Sequence, residues 1–276
     1  MKNIDKKTVD GFGYEWEKYD QSAIKEDNLS SAWDQYFYIF PFDSLNKDST
    51  GFDMGCGSGR WSKFVAPRVG HLNCIDPSQK ALDVAKENLK EFSNINFYNG
   101  SVSDNILKEG SQDFGYSLGV LHHIPNTLEG IKDCSKLLKP GSPFLLYLYY
   151  DLEDRPFWYK RVWDISNILR RGISNLPDWS KSIITTIIAI FIYFPFARIA
   201  FLAEKLGFNV SNYLLTDYRD KEFYFMLTDS LDRFGTQLEK RFSKKQIEEM
   251  LQASGFEKIS FSNQSPYWVT LSYKKK

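Results

Sequence analysis

FDMGCGSG, at residues 52–59, is the stretch of sequence that decides the fold. An apolar segment ends here, three glycines follow at alternate positions, and a helical pattern begins at Arg60. Glycine lets the backbone turn sharply and lets a ligand approach without a Cβ clash. The N-terminus of the next helix presents free N–H groups. The stretch therefore predicts a strand, a ligand-binding turn and a helix.

A second acid lies at the end of the next predicted strand. Asp76 stands 21 residues after Gly55, where a carboxylate accepts hydrogen bonds from both hydroxyls of a ribose. The dinucleotide fingerprint is G-x-G-x-x-G after an apolar strand end, whereas this chain has G-x-G-x-G preceded by Asp53. An anion at Asp53 repels a pyrophosphate but suits an ammonium or a sulfonium. The pattern therefore favours S-adenosylmethionine over NAD.

The sequence divides into four segments of different character. Residues 1–49 are predicted to form an N-terminal helical cap, and residues 50–150 alternate strand and helix patterns, which indicates a parallel sheet with a cofactor-binding core. Residues 151–241 are rich in aromatic side chains and break the alternation, so they are expected to form a substrate-binding lid insertion. Residues 242–276 read as a helix that begins after Ser243, followed by a closing strand pair that completes the sheet.

Composition excludes several classes of protein. Lys and Arg number 35, as do Asp and Glu, and this zero net charge argues against a nucleic-acid binder. Three cysteines without a CxxC pair fit a reducing cytoplasm, and three histidines are too few and too badly spaced for a metal cluster. Residues 1–14 have no apolar run of the kind that marks a secretory signal. We therefore expect a cytoplasmic protein without a bound metal.

The longest charge-free apolar stretch covers residues 182–197. Its 16 residues fall short of the ~20 that a spanning helix needs, so no transmembrane span is predicted. The stretch lacks a lysine-rich polar face, which favours burial inside the insertion over docking on a membrane. Peripheral membrane contact and a dimer interface stay open as alternatives, as do a monomer and a homodimer.

Together these motifs resemble the class I S-adenosylmethionine-dependent methyltransferases, above all the branch of ubiquinone and menaquinone biosynthesis. FDMGCGSG, CIDPS, DFGYSLGVLHHIP and LKPG carry the resemblance, over roughly residues 50–150 and 242–276. It implies an α/β, Rossmann-like fold with a seven-stranded, mostly parallel sheet and an antiparallel last strand. It also implies an N-terminal helical lid, a helical and aromatic insertion after strand five, and S-adenosyl-L-methionine as cofactor.

The resemblance assigns cofactor contacts by position. The glycine loop would wrap the methionine and ribose part, with one acid near the amino group and another at the ribose. The loop after strand three would reach the adenine, and the end of strand four would expose backbone beside the methionine moiety. The residues so assigned are Asp53, Gly55, Gly57, Gly59, Asp76, Ser101, Val102, Leu118 and Gly119.

Catalytic candidates follow strand four, in the stretch LHHIP. His123 or His122 is the candidate general base for a hydroxyl substrate, and structural hydrogen bonding of both rings is the alternative. Tyr14 and Tyr19 come from the N-terminal segment, which folds over the cofactor in this family, and ordinary aromatic packing is their alternative.

The sequence thus predicts a methyltransferase that acts on oxygen or nitrogen of a small molecule, with a sugar or a sugar-linked intermediate as the first expectation. A quinone-like or lipid-linked acceptor is the alternative within the class. An NAD-dependent oxidoreductase and a non-catalytic cofactor-binding module are the rivals from other classes.

Overall fold

The computed structural model describes residues 3–20, 26–153 and 155–276. The chain divides into two compact units, one of Met1–Asp151 with Leu238–Lys276 and one of Leu152–Gln237. The first contains the sheet, and the second is helical. The predicted organisation into four functional segments stays a prediction.

A seven-stranded sheet forms the centre of the first unit, in the order β3-β2-β1-β4-β5-β7-β6. Strands β1 to β5 pair in parallel, and β7 runs antiparallel to both of its neighbours. This confirms the predicted mostly parallel sheet with an antiparallel last strand. The strands are β1 Thr50–Met54, β2 His71–Asp76, β3 Ile95–Asn99, β4 Phe114–Leu118, β5 Pro143–Tyr147, β6 Phe256–Phe261 and β7 Thr270–Lys274.

The described part of the chain contains ten α-helices. Their ends follow local chemistry: the Ser78 hydroxyl caps α4, and Ser243 forms a capping box with Gln246 at the start of α10, as the sequence predicts for Ser243. In chain order they are α1 Lys6–Lys18, α2 Glu26–Phe37, α3 Ser62–Val65, α4 Gln79–Asn88, α5 Thr127–Leu137, α6 Phe157–Ile173, α7 Asp178–Ile188, α8 Phe194–Lys205, α9 Phe223–Gly235 and α10 Lys244–Ala253.

The middle strands are buried on both faces, as central parallel strands are. Phe52, Phe114 and Phe144 from β1, β4 and β5 are fully buried. Glycine makes room for these rings, because a Cβ at Gly115 would lie 2.3 Å from the Phe52 ring. The core thus fixes the register of β1 against β4, and with it the edge where both strands end.

The apolar stretch of the second unit forms one continuous helix, Asp178–Lys205, in which the π-helical turn Ala189–Tyr193 joins α7 to α8. By length and composition it could cross a membrane, and 22% of its apolar window is buried. The prediction that this stretch is buried is therefore wrong. Small residues such as Thr185 and Ala189 fill the inward positions, which leaves large side chains such as Phe191 outside.

Candidate cofactor and catalytic site

The candidate site lies at the carboxyl edge of the parallel strands, where ligands bind in open α/β sheets. The glycine turn follows β1, Asp76 ends β2 and Leu118 ends β4. The backbone N–H groups of Gly55 and Cys56 both donate to the Ile75 carbonyl, at 2.8 and 3.1 Å. These bonds hold the turn against the end of the neighbouring strand.

The turn needs glycine for both conformation and space. Gly55, Gly57 and Gly59 have φ of 80°, 55° and 79°, in the left-handed region that side chains disfavour. A Cβ at Gly57 would lie 3.0 Å from the indole nitrogen of Trp16. Gly119 also has a positive φ, of 78°, and a Cβ there would meet open space. The backbone at the end of β4 is therefore accessible to a ligand.

Asp76 joins the turn to β2. Its Oδ2 accepts from the Gly57 N–H at 3.0 Å, and its Oδ1 accepts from the Ser78 N–H at 2.8 Å. Burial raises the pKa of Asp76 to about 6. The two N–H bonds lower the pKa, but their effect is smaller than that of burial. A carboxylate offers about four lone-pair positions, so two remain for further donors. The hydroxyl pair of a ribose fits that capacity.

Asp53 is held inside the protein rather than at the surface of the turn. It is buried in β1, and its Oδ2 accepts from the Ser62 hydroxyl at 2.7 Å. Burial raises its pKa to about 7, and hydrogen bonds from Ser62 and Tyr116 oppose that rise. Its predicted contact with the amino group of the cofactor stays a prediction.

The loop after β3 is buried and braced by its own side chains. The Ser101 N–H donates to Asp104 Oδ2 at 2.9 Å, and the hydroxyls of Ser101 and Ser103 lie 3.0 Å apart. Val102 is buried beside them. The roles predicted for Ser101 and Val102 at the adenine stay predictions, as does that of Leu118 at the methionine moiety.

His123 has a fixed orientation and one nitrogen to spare. It lies in the 3₁₀ turn Leu121–His123 directly after β4, and its Nδ1 is 2.7 Å from the Leu238 carbonyl oxygen. A carbonyl can only accept, so Nδ1 carries the proton and Nε2 keeps a lone pair. Among the residues that the structure describes, none forms a hydrogen bond with this buried Nε2. Nε2 is therefore the ring nitrogen with an unused lone pair, and the role of His123 as a general base stays a prediction.

His122 is placed differently from its neighbour. Its ring is fully buried between His123 and Tyr149, with centroids 4.0 and 3.9 Å away. Neither ring nitrogen has a hydrogen-bond partner in the described part of the chain. Burial lowers the pKa of His122 well below its usual range, and the nearby His123 and Arg241 add to that effect. His122 is therefore neutral and packs as an apolar ring.

An aromatic ring of α1 contacts His123, but it belongs to Phe12 and not to either of the tyrosines named from the sequence. The Phe12 ring meets the imidazole edge-on, with centroids 4.9 Å apart. Tyr14 is two residues further along and therefore about 200° around the helix from Phe12. Tyr19 lies seven residues beyond Phe12, or roughly 10 Å along the axis. A role of Tyr14 or Tyr19 in proton transfer stays a prediction, and the geometry favours His123.

Two further residues lie at the turn, although the sequence assigns neither of them to the cofactor site. Ser58 is buried, and its hydroxyl has no hydrogen-bond partner within residues 3–20, 26–153 and 155–276. Its position between two glycines of the loop is the signal that points to it. Trp16 lies against Gly57, with the Arg60 guanidinium 5.6 Å from its ring centroid, and it belongs to the same N-terminal aromatic segment as Tyr14 and Tyr19.

These features fit S-adenosylmethionine. The turn leaves backbone rather than side chains at the edge of the sheet, Asp76 has acceptor capacity for a ribose, and the Ser58 hydroxyl is an orphaned polar group beside them. No group of three or more His, Cys, Asp or Glu in the described ranges could hold a metal ion.

Comparison with known proteins agrees with this geometry. Residues 52–146 match the family model described as a methyltransferase domain. Demethylmenaquinone methyltransferase of Staphylococcus aureus is 27% identical over 133 residues, which cover 42% of this chain and 54% of the relative. The chain thus spans about half the length of the curated relatives it matches.

Two solved structures share the fold. One is the methyltransferase complex with the Haloferax volcanii Trm112 activator, with a TM-score of 0.52, 11% identity and coverage of 95% of this chain and 98% of that one. The other is an S-adenosylmethionine-dependent methyltransferase from Thermotoga maritima, with a TM-score of 0.50, 12% identity and coverage of 96% and 100%. The predicted family resemblance is confirmed: residues 52–146 match a methyltransferase domain, and the chain resembles the class I, S-adenosylmethionine-dependent methyltransferases in sequence and in fold.

Proposed function

We propose that this protein transfers a methyl group from S-adenosylmethionine to a hydroxyl or amino group of a small molecule, with His123 as the general base. The observation that carries the proposal is the lone pair on Nε2 of His123, at the same sheet edge as the glycine turn. Methyl transfer to a hydroxyl needs a base to take the proton that the oxygen loses.

The cofactor supplies an electrophilic methyl group when bound. Residues of this chain hold it: Asp76 accepts from the ribose, the backbone of Gly119 leaves space at the end of β4, and the Ser58 hydroxyl offers a further polar contact. Their work is alignment, which accounts for much of the barrier reduction in a displacement reaction.

His123 handles the proton. Nε2 accepts it from the acceptor oxygen, while the Nδ1–H stays on the Leu238 carbonyl and stabilises the cation that forms. The buried surroundings exclude water, which keeps the lone pair available for the acceptor. Phe12 covers the ring in this conformation, so a shift of α1 would admit the acceptor.

The first candidate acceptor is a sugar or a sugar-linked intermediate. A quinone-like or lipid-linked acceptor is the second candidate, and two observations favour it: the name of the Staphylococcus aureus relative, and the exposed apolar side chains of the helix Asp178–Lys205. The three cysteines, Cys56, Cys74 and Cys134, are buried and free, which supports a cytoplasmic site of action.

His123→Asn tests the base. The asparagine amide can still donate to the Leu238 carbonyl but offers no basic nitrogen in place of Nε2. We expect turnover to fall by about 10²- to 10⁴-fold with cofactor affinity unchanged. His122→Phe is the matched control and should keep most of the activity, since that ring packs as an apolar group. Normal turnover in His123→Asn would make the histidine structural.

The acceptor is found with methyl-labelled S-adenosylmethionine and an extract of the source cells, separated into aqueous and organic phases. Label in the aqueous phase supports a sugar, and label in the organic phase supports a quinone or a lipid-linked acceptor. Intact cofactor binding without label in either phase would favour a non-catalytic module.

A further inference from the structure

The helices α6, α7 and α8 are packed with small and polar side chains inside and large apolar ones outside. Along Asp178–Lys205 the buried positions are small apart from Lys181 and Tyr193, whereas many isoleucine and phenylalanine side chains are exposed. Soluble helices show the opposite arrangement. The small buried residues are Ser182, Thr185, Ala189, Ala197 and Ala200.

Hydrogen bonds, rather than apolar contacts alone, hold this interior together. The buried Ser230 hydroxyl of α9 donates to the Thr185 carbonyl of α7 at 3.0 Å. The buried Arg170 of α6 donates to the carbonyls of Thr236 and Gln237, at 2.7 and 2.9 Å. Close packing of small residues with polar links between helices is typical of helices that associate within lipid.

The helix Asp178–Lys205 carries a run of exposed apolar side chains from α7 through the π-helical turn to the first residue of α8. Five of them recur at intervals of one to four residues, and Phe191 is 71% exposed. These residues, here called the apolar face, are Ile183, Ile187, Ile190, Phe191 and Phe194. Helix α6 repeats the pattern, with Ile165, Ile168 and Leu169 all more than half exposed. An apolar surface of this kind marks a site of interaction.

Charge indicates what the surface meets. Residues 157–205 contain seven basic and three acidic side chains, although the whole chain has no net charge. Arg170 and Lys181 are buried, so five basic side chains remain at the surface of this segment. A second copy would bring two such positive segments together, which like-charge repulsion disfavours. Anionic lipid headgroups neutralise them, while long basic side chains reach the headgroups from the edge of an apolar surface.

We propose that the apolar face docks on a bilayer of anionic lipids, with its side chains in the hydrocarbon boundary and the unburied basic side chains of α6 to α8 among the headgroups. Helix α9 packs against α7 at Thr185, which leaves the apolar face uncovered in the second unit. This proposal stands without the proposed methyl transfer, because it concerns the second unit alone.

Flotation of the full chain with vesicles tests the docking. The protein should float with phosphatidylglycerol–phosphatidylcholine vesicles, and less with phosphatidylcholine alone or at high salt. Ile187→Asn with Phe191→Asn should reduce partitioning about tenfold or more. Tyr38→Asn, at a residue 65% exposed in the first unit, is the matched control and should float as wild type. Unchanged flotation of the double variant, or no flotation of wild type, would overturn the proposal.

A fluorescent label measures insertion directly. The native cysteines are buried, so Phe191→Cys introduces a surface thiol that can be labelled with an environment-sensitive dye in the folded protein. We expect anionic vesicles to shift its emission to the blue, and spin-labelled lipid chains to quench it. The same dye at Tyr38→Cys should not respond. A blue shift that depends on protein concentration without vesicles would identify a second copy as the occupant and refute lipid docking.

Discussion

Replacing Asp76 by asparagine separates the two roles of this carboxylate. Asp76 accepts two backbone N–H bonds, from Gly57 and Ser78, with a different oxygen for each. Asparagine keeps one oxygen and turns an amide group towards the other N–H, which leaves a buried donor unpaired. We expect the cofactor-free protein to lose about 1–3 kcal/mol of unfolding free energy for that donor. The ribose loses charged acceptors, so cofactor affinity should fall at least about tenfold.

Ser78→Ala is the control that distinguishes binding from stability. It removes the hydroxyl that caps α4, for a loss of about 1 kcal/mol, and leaves the backbone N–H that Asp76 uses. Urea unfolding gives both stabilities, and calorimetric titration with S-adenosylmethionine gives both affinities. Asp76→Asn should weaken binding far more than Ser78→Ala at similar stability. Equal affinities in the two variants would refute the assignment of Asp76 to the ribose.

Two further predictions concern the glycine turn and the buried acids. Gly59→Ala should cost about 2–4 kcal/mol in urea unfolding, because φ is 79° and its Cβ would lie 2.5 Å from Leu89, whereas Gly110→Ala, where the Cβ meets open space, should cost only about 1–2 kcal/mol. Equal losses of unfolding free energy in the two variants would show that Leu89 moves aside for the new Cβ, and would contradict the prediction. Burial raises the pKa of Asp53 to about 7 and that of Asp76 to about 6. Both carboxyls therefore hold protons in the folded protein that the unfolded chain has released, and unfolding free energy should fall from pH 5 to pH 8, by about 3 kcal/mol for Asp53. In Asp53→Asn the unfolding free energy should fall less between pH 5 and pH 8. A pH profile equal to that of the wild type would contradict this assignment to Asp53.

Local chemistry explains why much of the site could be predicted. Glycines at alternate positions after an apolar run force the turn that follows β1, and Asp76 ends a strand whose apolar pattern is plain in the sequence. Parallel strands end at one edge, so predicting the strands brings both features together. The capped start of α10 is equally local, since Ser243 and Gln246 bond each other.

The features that were not predicted depend on contacts that are distant in sequence. The tautomer of His123 is set by Leu238, 115 residues further along, and its ring neighbour is Phe12 rather than a tyrosine. The prediction that the apolar stretch of residues 182–197 is buried fails for another reason. Its composition is the same whether large or small side chains face inward, and the polar partners that fix the choice, such as Ser230, lie in another helix.

The backbone of Leu238 bonds two separate parts of the first unit. Leu238 is the first residue after the second unit, its carbonyl holds the Nδ1–H of His123, and its N–H donates to the Thr8 hydroxyl of α1 at 3.3 Å. The backbone of one residue thus forms hydrogen bonds both with the helix that carries Phe12 and with the imidazole of His123. Release of the carbonyl would free the ring to place its proton on Nε2, and that nitrogen would then have no lone pair to accept a proton. The base proposed here therefore depends on a single backbone carbonyl.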